Sequence, residues 1–442
     1  MYKKIWPIKS STSCYLKWSW STVYLTRGST ASCHRTMHLP ITPGRLHEFH
    51  NHPKKIEDRQ RMLQDQWPQE TGLNGCSYCS SIEKHGGVSD RMVQLKPGLD
   101  PDGSPRLLEL PPELEHNETA VHVTPTILEV YFNNICNMAC LYCGPHFSSM
   151  WEEENRRFPL GDKQEKGLIN RSWIRMDQRY YGLRDELFQW LAQNGHHLVN
   201  FGMLGGEPFI QEEFDMMLDH FDQYPNPNLM FTMTTNLKIP YEKLVSQIER
   251  IKRMINTGKI GSFNLSASQD CWGPSAEYTR WGLDQAKWSK NFAYVASQEW
   301  IIVNVNFTIT PLTIHTLPEL IEQLNEWDKL RPPTKHICHS FMSVASPTQL
   351  NPKWFGPGVF TQDFERVISV MPTHTPYLAN YKEYMQGIAN SIEQTTRAPA
   401  KIKMLEDYLD LIDQRRGTNW RDVFPWLIPE FDQARQELAG VS

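Results

Sequence analysis

Cys136-Asn-Met-Ala-Cys140-Leu-Tyr-Cys143 packs three thiols into eight residues, spaced Cys-x3-Cys-x2-Cys. The stretch follows an apolar run, Ile127-Leu-Glu-Val-Tyr-Phe132, that reads as a buried strand. The thiols therefore sit on a loop at a strand exit, a poor place to bury cysteines for packing alone. With nine Cys in 442 residues, chance gives this spacing about 0.004 times per chain, so the motif is read as chemistry. Thiolates hold [4Fe–4S] clusters, and one short loop can wrap three of them around a cluster. Only three are supplied here, which leaves one iron without a protein ligand.

Downstream the pattern is strand–helix alternation. Strands are predicted at 127–133, 198–204, 229–235, 261–268, 301–309 and 337–344. Helices are predicted between them, at 178–193, 211–222, 240–257, 284–298 and 316–329. Their apolar positions recur at three and four, as in Leu183, Leu187, Trp190 and Leu191. Six strands separated by helices predict an α/β fold with a parallel sheet, an open partial (β/α)6 barrel. After about residue 345 the pattern turns helical, at 363–370, 380–394, 402–414 and 429–438, with nothing catalytic in view.

Polar motifs stand at the strand ends. Gly205-Gly206-Glu207-Pro208 suits an α-amino group: glycines allow close backbone approach, and a carboxylate pairs with an ammonium. An ordinary tight turn after a strand is the alternative. Thr234-Thr235-Asn236 closes the third strand, where open α/β sheets bind ligands, or forms an Asx or Thr turn. Ser266-Ala-Ser268-Gln-Asp270 closes the fourth, followed by Glu277-Tyr278-Thr-Arg280. Arg280 suits a planar carboxylate, or makes a surface salt bridge. Asn304 and Asn306 share one face of the fifth strand.

Together the cysteine loop, with Tyr142 just before its last Cys, and the Gly205–Pro208 motif resemble the radical S-adenosylmethionine superfamily. The order of motifs matches from about residue 124 to 325. The N-terminal text and the Asp270–Arg280 region resemble its twitch-domain branch. The resemblance implies a [4Fe–4S] cluster on Cys136, Cys140 and Cys143, with S-adenosyl-L-methionine on its open iron. It also implies the same barrel. Cofactor contacts are implied for Tyr142, Gly205, Gly206, Glu207, Pro208, Thr234, Asn236, Ser268, Asp270 and Arg280. Of these, Thr234, Asn236, Ser268 and Asp270 would meet the ribose and Arg280 the methionine carboxylate. An electron donor such as flavodoxin or ferredoxin is expected.

Residues 1–120 are the least regular part, expected as an N-terminal region ahead of a barrel over 121–335 and a mainly helical, twitch-like extension over 336–442. Trp20–Tyr24 is a short predicted strand, Thr42 a predicted helix cap, and Lys54–Gln66 a predicted helix. Residues 96–126, with six Pro and two Gly, read as a linker or an extended wrap rather than a domain core. Cys76-x2-Cys79 has metal-ligand spacing, and Cys14 and Cys33 complete a set of four. Four thiolates suit a second iron–sulfur cluster or a structural zinc, and buried core thiols are the plainer alternative. The Gly75–Cys79 and Gly86–Arg91 text resembles the N-terminal signature of the same branch. His34, His38, His47, His50 and His52 offer alternative metal ligands, but most of them read as surface or structural.

Net charge is −5 and pI about 6.4, which gives no basic footprint for nucleic acid. No run of 18 apolar residues exists, and Met1-Tyr-Lys-Lys-Ile-Trp-Pro lacks a signal-peptide apolar core. A cytoplasmic location is therefore expected. Seven Cys before residue 144 point in such a compartment to metal rather than disulfides. The expected activity is hydrogen abstraction, with a ribosomally made peptide as the substrate class that the resemblance implies. A small metabolite, nucleoside or lipid-linked sugar is the second reading, and a non-catalytic iron–sulfur or zinc protein the third. A neighbouring reading frame with a leader-like sequence discriminates the first from the second, and the amino-acid clamp of Gly205–Pro208 argues against the third.

Overall fold

Strands paired in parallel, with helices between them, dominate the computed structural model, which is mixed α/β. It describes residues 12–68, 76–84, 89, 91–92, 110–158, 168–169, 176–344 and 346–440. The chain divides into two compact units, each assembled from several segments. The first is Met1–Asn133, Ile174–Thr234 and Val245–Asn264; the second is Asn134–Trp173, Thr235–Leu244 and Leu265–Ser442.

In the first unit, Ile127–Tyr131 pairs in parallel with Asn200–Leu204, which pairs in parallel with Asn226–Thr235. The other edge of Ile127–Tyr131 takes Trp20–Tyr24, also in parallel, and an antiparallel run continues through Ser29–Ala31 to Leu39–Pro40. The N-terminal strand therefore extends the sheet that begins the strand–helix alternation. Phe231 is the centre of packing. Its ring centroid lies 5.4 Å from Phe263 and 6.3 Å from Phe201 on neighbouring strands. Helix Glu212–Gln223 covers these rings with Phe214, Met217, Leu218 and Phe221, a one-sided stripe at helical spacing.

Polar groups fasten the N-terminal hairpin from beneath. Lys55, fully buried on helix Pro53–Leu63, donates to Ser21 Oγ (2.9 Å), Thr30 Oγ1 (2.8 Å) and the Ala31 carbonyl (2.9 Å). Burial pushes its ammonium well below the ordinary lysine range. The expected helix start at Thr42 is corrected: one 3-10 turn spans Leu46–Glu48, led by Arg45 without a side-chain cap. Gly44, at φ +81°, breaks the helical path. The Gly44 and Leu46 N–H groups instead meet the Glu186 carboxylate at 2.8 and 2.9 Å. Of the 96–126 segment, residues 96–109 lie outside the described residues; from Leu110 it forms a short helix at Glu113–His116 and packs Leu114 and Val123 into an apolar cluster with Tyr15, Trp18 and Met62, so this part belongs to the core rather than to a linker.

In the second unit, Ile302–Ile309 pairs in parallel with Cys338–Ser343. Strand Ile260–Ser268 contributes its first half to the first unit and its second half, from Leu265, to the second. Trp288, Phe292 and Trp327 knit helices Gln285–Ala296 and Leu317–Asp328 together, with ring centroids 4.8–6.1 Å apart. The C-terminal segment is helical at Thr361–Val370, Pro376–Glu393, Pro399–Arg416 and Ile428–Ala439. No described helix is long and apolar enough to cross a membrane.

Two stability predictions follow from this packing. A Cβ on Gly261 would lie 2.4 Å from the Pro227 carbonyl oxygen. Gly261→Ala is expected to cost about 1–3 kcal/mol in urea unfolding, whereas Gly258→Asn, at φ +71° in open space, should leave stability within about 0.5 kcal/mol. His339 is buried on Cys338–Ser343, and burial lowers its pKa from 6.5 to about 4. It stays neutral in the fold while the unfolded chain takes up a proton. Its contribution is complete above about pH 6.5 and is lost as pH falls towards about 4. His339→Gln should flatten that slope by on the order of 1–3 kcal/mol across the window, read as denaturation midpoint against pH.

Candidate functional site

Cys136, Cys140 and Cys143 lie in the second unit on a loop with little regular structure, so its carbonyls need side-chain donors. Ser149 Oγ donates to the Cys136 carbonyl (3.2 Å), Ser148 Oγ to Met138 (2.6 Å) and Trp151 Nε1 to Cys140 (2.8 Å). From helix Pro399–Arg416, Tyr408 donates to the Leu141 carbonyl (2.8 Å) and Arg416 to Ala139 (3.1 Å). Ala139–Cys140 also pairs antiparallel with Arg280–Trp281. Burial, and then the neighbouring Cys140, push the Cys143 thiol up to about 12; burial also raises Cys140. Such thiols ionise only beside a compensating cation.

Asn236 meets the same loop. Its Nδ2 lies 3.0 Å from Asn137 Oδ1 and 3.8 Å from Cys136 Sγ. The next residue, Leu237, is held at φ +55°, a conformation a bulky side chain adopts only under constraint. The constraint is local: Thr235 Oγ1 accepts from the Leu237 N–H (3.0 Å), and Asn236 Oδ1 from the Lys238 N–H (2.7 Å). Asn291 Nδ2 donates to the Leu237 carbonyl (2.9 Å). The segment is thus a Thr and Asx turn whose amide also reaches the cysteine loop.

Tyr142, Asp270 and Arg280 come together. Tyr142 donates to Asp270 Oδ2 (2.6 Å), Arg280 Nη1 reaches that oxygen at 3.2 Å and also the Tyr142 hydroxyl, and the Thr308 N–H meets Asp270 Oδ1 (2.8 Å). The Asp270–Arg280 pair is buried, with side chains 1% and 5% exposed, so a surface salt bridge is ruled out. Arg280 Nε is buried with no hydrogen-bond partner. Ser268 closes its strand half-buried. Asn304 Nδ2 bonds Asn306 Oδ1 (2.9 Å) and Ser266 Oγ (3.3 Å), a polar row along adjoining strands.

The Gly205–Pro208 motif and Thr234 lie in the first unit. Gly205 and Gly206 have φ of +82° and +54°. A Cβ on Gly205 would come 2.8 Å from the Tyr131 ring, so both the conformation and the space require glycine. Glu207 is fully buried, and its Oε1 accepts from the Phe209 N–H (3.2 Å) at the head of turn Pro208–Ile210.

The first unit also gathers Cys14, Cys33, Cys76 and Cys79 around one cavity of about 110 Å³. Cys76 and Cys79 share a face one turn apart on helix Cys76–Lys84. Lys17, Arg35 and Arg91 line the same cavity, as do Trp20 and Trp67. Burial, then Cys33, raise the Cys14 thiol to about 12. Cys14 and Cys76 also belong to an apolar cluster with Tyr15, Trp18 and Met62. The histidines have other work: His50 is buried against Ser21 and the Trp18 carbonyl, His38 stacks on Tyr24, His52 caps a helix, and His47 is exposed. Only His34 reaches the cavity wall, and its Nε2 bonds Glu129 (2.6 Å).

Sequence reading missed Tyr408, Arg416, Trp151 and Ser148. Their roles depend on donors from distant helices meeting one loop, and no local signal marks them.

The chain matches no family model and no curated protein. Among solved structures it is similar to Streptococcus suis SuiB bound to precursor peptide SuiA, with 14% identity and a TM-score of 0.34, over 78% of this chain and 60% of that one. It is similar to SuiB bound to S-adenosylmethionine with 13% identity and a TM-score of 0.34, over 82% and 67%. The chain thus spans less than two thirds of the first of these.

Tyr408→Phe leaves the buried Leu141 carbonyl without its donor. Stability should fall by about 1–3 kcal/mol, measured by chemical denaturation.

Proposed function

We propose that the chain is a radical S-adenosylmethionine enzyme in which Cys136, Cys140 and Cys143 hold a [4Fe–4S] cluster. The observation that carries the reading is the cysteine loop itself: three thiols on a backbone fixed by Ser148, Ser149, Trp151, Tyr408 and Arg416. The donor set fits the group. Cys140 is buried and Cys143 half-buried, and desolvation raises both thiols, so they need a cation to ionise, and Arg280 Nε is a buried donor left over for an anionic ligand. When bound, the cluster supplies the electron that cleaves S-adenosylmethionine to a 5′-deoxyadenosyl radical.

The protein's part is to bind, orient and exclude water. Asp270 and Tyr142 hold the Arg280 guanidinium in one orientation, ready for a carboxylate. Asn236, fixed by the strained Leu237 turn, and Ser268 supply short polar groups for ribose hydroxyls, a role the resemblance also gives Thr234. Glu207 is proposed as the ammonium partner, on the strength of its Gly205-Gly206-Glu207-Pro208 motif. Cys14, Cys33, Cys76 and Cys79 are proposed to hold a second cluster, since their shared cavity is lined by Lys17, Arg35 and Arg91, which suit an anionic tenant. Zinc is the competing occupant. A peptide substrate, and a flavodoxin or ferredoxin as electron donor, rest on the resemblance alone.

Anaerobically reconstituted protein mixed with dithionite and S-adenosylmethionine should release 5′-deoxyadenosine, and the triple change of Cys136, Cys140 and Cys143 to Ala should abolish it. Persistent release from that variant overturns the assignment. About four irons remaining in it support the N-terminal cluster, and a single zinc supports the alternative.

A further inference from the structure

Helix Leu317–Asp328 ends beside the loop that enters strand Cys338–Ser343 and the segment that leads to helix Pro376–Glu393. Each presents one metal-binding side chain: Asp328, His336 and His374. Among the described residues they are the one group of three or more His, Cys, Asp or Glu whose ligand atoms all lie within 4.8 Å of one another. Asp328 Oδ2 is 2.8 Å from His336 Nδ1, and His374 Nε2 is 3.3 Å from that same nitrogen.

His336 Nδ1 carries at most one hydrogen. If that hydrogen goes to Asp328, it serves His374 poorly; if His374 donates to Nδ1, the nitrogen faces the carboxylate with two lone pairs opposed. One cation in their midst satisfies all three. The carboxylate is oriented as a ligand would be, because Asp328 Oδ1 accepts from the Ile337 N–H (2.6 Å). Asp328 and His336 are half-buried, while His374 is exposed, so a path from solvent exists.

We propose that Asp328, His336 and His374 bind a divalent cation. Two imidazoles and one carboxylate form an N2O set that suits zinc and neighbouring late first-row ions rather than calcium or magnesium. Three protein ligands leave the fourth tetrahedral position to water. The site owes nothing to the cysteine sites and stands whether or not the chain uses S-adenosylmethionine.

The test uses the full chain, stripped with chelator under anaerobic conditions and titrated with Co²⁺. Wild type should take up one equivalent more than His374→Ala, or bind it with at least about ten-fold higher affinity. His374 is exposed, so its loss leaves the packing in place. His374→Cys should keep the equivalent and add a thiolate-to-cobalt charge-transfer band absent from this site in wild type. Zinc should raise the melting temperature of wild type more than that of His374→Ala. Equal stoichiometry and affinity in wild type and His374→Ala, or no new band in His374→Cys, overturns the proposal.

Discussion

A loop that carries three cysteines within eight residues does not also satisfy its own peptide groups through regular structure. In the second unit the loop's carbonyls are met from outside by Ser148, Ser149, Trp151, Tyr408 and Arg416. Arg416 lies over the rings of Trp151 and Trp281 and pairs with Glu154 (3.0 Å). Asp413, one turn before the helix ends, fixes the next segment through the Trp420 N–H (2.7 Å) and Tyr278 (2.8 Å). The C-terminal helix that looks inert in sequence is thus part of the frame of the cysteine loop.

The two cysteine groups share an electrostatic design. Arg280 and Arg416 act on Cys140, and Lys17 acts on Cys14 and Cys33, each favouring thiolate against the cost of burial. Lys17 is itself held by Asp58 at 2.7 Å. Arg280 and Arg416 likewise have carboxylate partners, Asp270 and Glu154, so each cation is paired whatever the charge on the neighbouring thiols.

Periodicity made the alternation legible. The six predicted strands appear with ends shifted by no more than three residues, as at Asn226–Thr235 against 229–235. Alternation and helical stripes are local properties that burial enforces. The Thr42 cap failed because Glu186, far along the chain, captured the backbone donors that a cap would have served. The parallel pairing of Trp20–Tyr24 with Ile127–Tyr131 joins segments more than a hundred residues apart, and pattern carries no register over that distance. Asp270 and Arg280 were visible as residue types, but their union with Tyr142 was not, because it depends on which strand end faces the loop. His336 and His374 escaped notice for the same reason: each is ordinary until the fold sets it beside Asp328.

The span between Leu141 and Tyr408 also has a meaning in time. The two residues are 267 positions apart. At roughly 5–20 residues per second of synthesis, the loop emerges on the order of 13–50 s before the hydroxyl that fastens it. Through that interval the three cysteines are already made, while the frame that sets their spacing is not. A loop met during translation still lacks the two donors of that helix, whereas in the finished chain its Leu141 and Ala139 carbonyls are already engaged by Tyr408 and Arg416.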